Sequence, residues 1–161
     1  MDFSTLSLPI IIVITLLSII GISWVISRRV THRWNRHRAE TVAQWEQAGL
    51  EFIRGPAGGQ FIGLESLGPD RSLRGLGFVA LTEQDLRVTR SVPSEVWILT
   101  YKQIKGVTLQ SKFLGREAKT NPFIVVRFVK DGKKDKLAFS VKEGKDWAKD
   151  LARVAKVKMK F

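Results

Sequence analysis

The stretch that decides the fold is residues 123–141, FIVVRFVKDGKKDKLAFSV. Residues 123–129 are almost all apolar, which predicts a buried strand. Asp131-Gly132 is a pair typical of a tight hairpin turn. After this pair, Leu137, Phe139 and Val141 recur at every second position, so they share one face of a second strand. The stretch therefore predicts an antiparallel hairpin within a mainly β domain.

Other strand-like runs precede this hairpin, and an amphipathic helix follows it. The runs alternate apolar and polar residues or end at Gly, Pro or Asp, and they lie at residues 61–67, 77–81, 86–90, 96–101 and 104–111. Trp147, Leu151 and Val154 then recur at helical spacing, which predicts a helix over residues 144–156 with these three side chains in the core. The predicted order is about seven antiparallel strands followed by one C-terminal helix.

Four stretches of this region resemble bacterial pleckstrin-homology domains of the PH/GRAM type. They are GFVALT at 77–82 with a leucine following at 86, ILTYKQIKGV at 98–107, SKFLG at 111–115 and KDWA at 145–148. The resemblance covers roughly residues 60–156. It implies a bent barrel with one open end closed by the C-terminal helix. These stretches are core patterns, so they bear on the fold more than on the ligand.

The N-terminal part of the chain has a different composition. Residues 6–26, LSLPIIIVITLLSIIGISWVI, contain no charged residue. As a helix they would extend about 31 Å, which matches a bilayer core of about 30 Å. The run lacks the basic start and the small-residue cleavage site of a signal peptide. The expected fold class is therefore a single transmembrane α-helix plus a mainly β PH-like barrel closed by a C-terminal α-helix.

Arginines follow the predicted span directly, and they set the expected orientation. They are Arg28, Arg29, Arg33, Arg36 and Arg38. The positive-inside rule places them in the cytoplasm, facing anionic lipid, with the N-terminus outside. This predicts a single-pass protein of the cell membrane with a cytoplasmic C-terminal domain.

The expected domain organisation has three parts. Residues 1–27 form the anchor, residues 28–59 form a basic juxtamembrane helix and linker, and residues 60–161 form the PH-like domain. Gly55, Pro56, Gly58 and Gly59 indicate a loop at the end of the linker. Trp34 and Trp45 return to the same helical face, so this helix either leans on the bilayer surface or packs its tryptophans on the domain. Both alternatives stay open.

The net charge of +12 is concentrated in the C-terminal part of the chain. Residues 1–27 carry −1, residues 28–50 carry +3 and residues 51–161 carry +10. A basic domain beside a bilayer has lipid head groups as an anionic neighbour. The resemblance to PH domains makes the first loop a candidate for head-group contacts, and a second basic loop adds to it. The candidates are Arg71, Arg74, Lys112, Arg116 and Lys119, although loop cations are also often simply solvated.

Catalytic, metal and cofactor motifs are not recognisable in the sequence. The chain has no cysteine, and His32 and His37 are five residues apart, a poor spacing for two metal ligands on a helix. Gly75–Ala80 formally fits G-x-G-x-x-A, but a strand rather than a helix is predicted to follow. We therefore expect no enzymatic activity, no cofactor and no metal. Nucleic acid is disfavoured as a partner because exposed aromatics do not interleave with the basic residues.

Two functions agree with these observations. The first is a membrane-anchored, non-catalytic PH-like module that binds anionic lipid head groups, a membrane-protein partner, or both at the cytoplasmic face. The second is a structural or assembly subunit of a larger membrane complex that recognises no lipid of its own. The sequence names neither the protein partner nor the lipid.

Overall fold

The computed structural model describes residues 3–71 and 74–160. Within the first helix, the side chains at positions 3–11, 14, 26, 27, 30, 33, 34 and 37 are not described. The chain divides into two compact units, Met1–Glu40 and Thr41–Phe161. The first unit is helical, and the second contains the strands.

The described residues form three α-helices and ten strands. A single 3-10 turn, Glu65–Leu67, follows the first strand. The elements are α1 Phe3–Gln47, β1 Phe52–Leu64, α2 Gly68–Arg71, β2 Gly75–Thr82, β3 Asp85–Ser91, β4 Ser94–Thr100, β5 Ile104–Gln110, β6 Lys112–Phe113, β7 Arg116–Glu117, β8 Phe123–Lys130, β9 Lys133–Val141, α3 Gly144–Val154 and β10 Met159–Lys160.

The main sheet has eight strands in the order β10-β5-β8-β9-β1-β2-β3-β4, and β6 and β7 form a separate two-stranded hairpin. Neighbouring strands are antiparallel except for β10, which runs parallel to β5. The sheet is not closed, because β10 and β4 lie at its two edges and do not pair. The predicted fold class was therefore wrong in expecting a closed barrel, although the mainly β character is present.

β1 is the strand that joins the two halves of the sheet. It pairs with β2 from Phe52 to Phe61 and with β9 from Gly59 to Leu64. Its start lies inside the stretch that we expected to be a loop. The glycines there serve close packing: a Cβ at Gly59 would lie 2.7 Å from the Val141 side chain and 2.8 Å from the Ser140 carbonyl oxygen. Residues that usually break strands are thus required within this one.

The turn expected at Asp131-Gly132 is present between β8 and β9. Both residues have positive φ, 52° and 74°, as a two-residue type I′ turn requires. The turn sets Lys130 opposite Lys133 and carries that register through the whole hairpin. Asp accepts this conformation more readily than most residues because its short side chain can hydrogen-bond locally.

The principal core lies between the inner face of the sheet and α3. Ile124, Phe139 and Leu151 are at most 1% exposed there, and Trp147 is 3% exposed. Trp147 and Leu151 occupy the core positions that the sequence predicts, whereas Val154 is only half-buried. Helix α3 is shorter than predicted, since it ends at Val154.

Two smaller apolar clusters lie apart from this core. One holds Ile62, Phe113, Phe123, Val125 and Ala138, next to the β6–β7 hairpin. The other holds Trp45, Phe78 and Ala80. The Trp45 ring lies 5.4 Å from that of Phe78, and the guanidinium of Arg87 lies 5.2 Å above it. Of the two alternatives for the tryptophans, Trp45 therefore packs on the β unit, and the Trp34 side chain lies outside the described residues.

The predicted membrane span needs correction. No helix is both long and apolar enough to cross a bilayer among the residues that the structure describes. Within the predicted span, the side chains at positions 6–11, 14 and 26 lie outside the described residues. The predictions of a transmembrane helix, of its orientation and of a cell-membrane localisation were therefore wrong.

Replacing Trp147 by alanine tests the packing of α3 on the sheet. Its side chain is buried and lies under the guanidinium of Arg54, at 5.2 Å. We expect Trp147→Ala to lower the free energy of unfolding by about 3–5 kcal/mol in denaturant titration. The control is Lys149→Ala, an exposed change in the same helix that should alter it by less than about 1 kcal/mol. Equal unfolding midpoints for the two variants would contradict this packing.

Candidate functional site

The two predicted head-group loops come together in the structure, but most of their cations are engaged within the protein. Lys112 forms an ion pair with Glu117 at 2.5 Å. The Arg116 guanidinium donates hydrogen bonds to the carbonyl oxygens of Ile62 and, at 3.4 Å, Pro69. This last contact joins the second loop to the first, and it directs the arginine at the backbone rather than at solvent.

The remaining loop candidates are more exposed. Arg74 donates to the side-chain oxygen of Gln60 at 2.8 Å. Arg71 ends the short helix α2 and is exposed, and Lys119 is also exposed. The structure thus leaves two of the five predicted loop residues, Arg71 and Lys119, with their charges directed at solvent.

The side chains of four of the five arginines predicted to face lipid in α1 are described. The guanidinium of Arg28 lies 5.2 Å above the Trp24 ring, and Arg29 is exposed. Arg36 pairs with Glu40 at 2.8 Å on the exposed helix surface. Arg38 is half-buried. The side chain of Arg33 lies outside the described residues.

A cluster of cations that the sequence analysis did not single out lies across β5, β8 and β9. Lys105, Arg127, Lys134 and Lys136 surround a shallow groove of about 290 Å³, which we call the basic groove. Phe128 and Val129 add an apolar part to its lining, and Glu65 and Asp135 are its carboxylates. Four cations against two carboxylates leave the groove positive.

The position of Arg127 depends on a glycine in the neighbouring strand. Gly106 is its partner on β5, and a Cβ there would lie 2.5 Å from a terminal guanidinium nitrogen and 3.0 Å from Nε. The guanidinium therefore lies close against Gly106 of β5. On its other side Arg127 is directly opposite Lys136 of β9. Like charges at such a cross-strand position repel each other, and the ion pair of Lys136 with Glu65 offsets part of this repulsion.

The carboxylates of the groove compensate this charge only in part. Glu65 pairs with the ammonium of Lys136 at 2.6 Å. Asp135 accepts hydrogen bonds from the Ser66 backbone N–H at 3.0 Å and from its hydroxyl at 2.5 Å. Arg127 and Lys134 have no carboxylate partner among the described residues. Both are exposed and available to an external anion.

The sequence contains a signal that would have found this groove. A two-residue turn at Asp131-Gly132 fixes the register of the hairpin. From that register, Arg127 must lie opposite Lys136, and Val129 opposite Lys134, as observed. Cations of β5, β8 and β9 are far apart along the chain and lie outside the loops, so a count along the chain does not bring them together.

A buried polar network closes the turn between β2 and β3. Asp85, 6% exposed, accepts a hydrogen bond from the Thr82 hydroxyl at 2.8 Å and pairs with Arg87 at 2.9 Å. The Tyr101 hydroxyl donates to the backbone carbonyls of Thr82 and Asp85. These groups satisfy one another, so we assign the network to the stability of the hairpin.

No protein-family model matches the chain, and a search of curated proteins found no match. The relation to PH/GRAM-type domains stays a prediction. No group of three or more His, Asp or Glu residues that could hold a metal ion occurs in the described part of the chain.

Tyr101 offers a spectroscopic test of the hairpin network, because it is the one tyrosine in the chain. Burial raises the pKa of its phenol from 10.0 to about 12, and the charge of Asp85 adds to the rise. We expect tyrosinate absorbance to appear near pH 12 in the folded chain and near pH 10 in the urea-unfolded chain. Because the folded state holds the phenol proton more tightly, the raised pKa stabilises that state. This contribution is complete below pH 10, the unfolded value, and is lost as the pH rises through about 12. Folded and unfolded chains that titrate together would contradict this geometry.

Proposed function

We propose that the chain is a non-catalytic binding module that recognises anionic lipid head groups, with the basic groove as its binding surface. The observation that carries the proposal is the pairing of Arg127 and Lys136 across β8 and β9, with Gly106 leaving room for the guanidinium. Lys136 is already paired with Glu65, whereas the exposed Arg127 beside it has no carboxylate partner among the described residues and is open to an external anion. Phosphate oxygens suit this arrangement, because the planar arginine fork donates two parallel hydrogen bonds.

Electrostatic attraction is the expected source of such binding. Each lysine or arginine near an anionic surface contributes about 1 kcal/mol, and the contribution decays within a Debye length of about 8 Å at physiological salt. Lys105, Arg127 and Lys134 are exposed on one face of the sheet, so they can approach a flat surface together.

The predicted relation to PH/GRAM-type domains agrees with a lipid ligand but implied different residues. Arg71 and Lys119 keep exposed charges and are secondary candidates for the same ligand. Arg116 and Lys112 are held by intramolecular contacts that a head group would have to replace. In the basic groove, Lys136 is likewise paired with Glu65 and Lys105 donates to the Lys102 carbonyl, so we assign the larger contribution to Arg127 and Lys134.

A protein partner is the second candidate function. Its support is the exposed apolar surface of α1, where Leu17 is 62% exposed, Ile20 is 63% exposed and Trp24 is 61% exposed. Contiguous exposed apolar surface commonly marks an interaction site. In that case the chain would be a structural subunit whose charge serves solubility, and its binding to vesicles would not depend on anionic lipid.

Vesicle flotation of the full chain separates these two functions. We expect binding to phosphatidylcholine vesicles that contain phosphatidylglycerol to exceed binding to pure phosphatidylcholine, and to fall steeply as salt is raised. Replacing Arg127 and Lys134 together by Gln should weaken the binding roughly 30-fold, because two contributions of about 1 kcal/mol are lost.

The matched control replaces Lys158 and Lys160 by Gln, which removes the same charge at exposed positions outside the groove. It should weaken binding less than about threefold. Equal losses in the two double variants would show that total charge rather than the groove is responsible. Equal binding to neutral and anionic vesicles would favour the structural subunit.

A further inference from the structure

The two edges of the main sheet differ in how they are covered. The outer edge of β5 is covered by the chain's own β10, with Met159 beside Val107 and Lys160 beside Thr108. β4 pairs with β3 on one side, and on its other side no strand of the described chain is paired with it. In an antiparallel pair, alternate residues of such an edge direct their N–H and C=O groups away from the sheet.

β4 lacks the features that usually protect a free edge. Its pairing with β3 runs without a bulge from Asp85–Thr100 to Ser91–Ser94. Val96 and Ile98 are 47% and 43% exposed on one face of the strand. The one charged residue of β4, Glu95, is paired at 2.7 Å with the buried Arg90. Exposed edges are normally protected by lysine, proline or bulges, and none of these lies between Glu95 and Leu99.

The free edge of β4 also forms one wall of a cleft of about 320 Å³. Residues 96–99 line one side, and the β8–β9 hairpin lines the other. Leu64 and Phe128 give the cleft an apolar lining. The Thr100 N–H donates to the side-chain oxygen of Gln103 at 2.9 Å, which ends the available edge at Leu99. The cleft thus combines unpaired backbone groups with an apolar surface.

The opposite wall carries positive charge. Lys130 and Lys133 face each other at the base of the hairpin turn, and both are exposed. Neither has a carboxylate partner in the described part of the chain. Asp131 lies at the apex of the turn, and the carboxylate of Asp135 is engaged by Ser66. Of the charged groups open to a ligand on this wall, Lys130 and Lys133 are positive and Asp131 is negative, so the wall has a net positive charge.

We propose that this cleft binds an extended acidic segment of a partner protein, which adds to β4 as a further antiparallel strand. The segment's backbone would pair with the outward N–H and C=O groups of Val96 and Ile98. One row of its side chains would be apolar and lie beside Val96 and Ile98. The alternate row would carry carboxylates toward Lys130 and Lys133. Main-chain pairing supplies affinity in such strand addition, and alternate side chains supply specificity. The proposal does not require lipid binding in the basic groove, although Phe128 and Asp135 line both.

The first test measures the charge preference of the cleft in the full chain. The probe is a fluorescently labelled seven-residue peptide of alternating Glu and Val, followed by fluorescence anisotropy. The same peptide with Lys in place of Glu should bind at least tenfold more weakly. Exchanging Lys130 and Lys133 for Glu should reverse this order, whereas Lys158→Glu with Lys160→Glu should keep it. Thermal melts of both double variants verify that they are folded.

The second test distinguishes strand addition from binding through charge alone. Two N-methylated forms of the acidic peptide carry methyl groups on opposite sets of alternate amides. One set faces β4, and its methylation should abolish binding, while the other form should bind within about threefold of the parent. Equal effects of the two methylation patterns would overturn the proposal. So would absence of binding, or a loss caused by Arg127→Gln with Lys134→Gln, which would place the peptide in the basic groove.

Discussion

The double pairing of β1 is the constraint on which the rest of the structure depends. This one strand hydrogen-bonds to β2 along its first part and to β9 along its second, so the two halves of the sheet meet through it. Gly59 stands where both pairings overlap, and its missing side chain lets the Ser140 carbonyl approach. Gly55, with φ of 89°, leaves room for the Trp147 ring of α3. The position of α3 over the core therefore depends on glycines in β1.

The β8–β9 hairpin relates this fold to the proposed binding surfaces. Its type I′ turn fixes the register, and the register sets the outward residues of β8 beside those of β9. The inward residues are apolar and belong to the core, for example Ile124 and Phe139. Outward cations gather in the basic groove, and Lys130 and Lys133 at the turn face β4. One short turn thus determines where both proposed ligands would find positive charge.

The sequence predicted the parts of the fold that local periodicity determines. Strand alternation, the Asp131-Gly132 turn and the helical face of Trp147 and Leu151 are local properties, and they reappear in the structure. The start of β1 was missed, because Gly55 and Pro56 usually indicate a loop. Closure of the sheet depends on whether the edge strands β10 and β4 pair with each other, and local sequence patterns do not predict such a long-range pairing. The basic groove was missed for a related reason, since its cations come from three strands.

The central claim is that uncompensated positive charge in the basic groove binds anionic lipid, and removing its one paired carboxylate tests this most directly. Glu65 neutralises Lys136 at 2.6 Å. The affinity of the Glu65→Gln variant for phosphatidylglycerol-containing vesicles should be measured against that of the unchanged chain at physiological salt. The account predicts a rise of about fivefold, equivalent to one further charge contribution of about 1 kcal/mol. An unchanged or lowered affinity in a fully folded variant would contradict it.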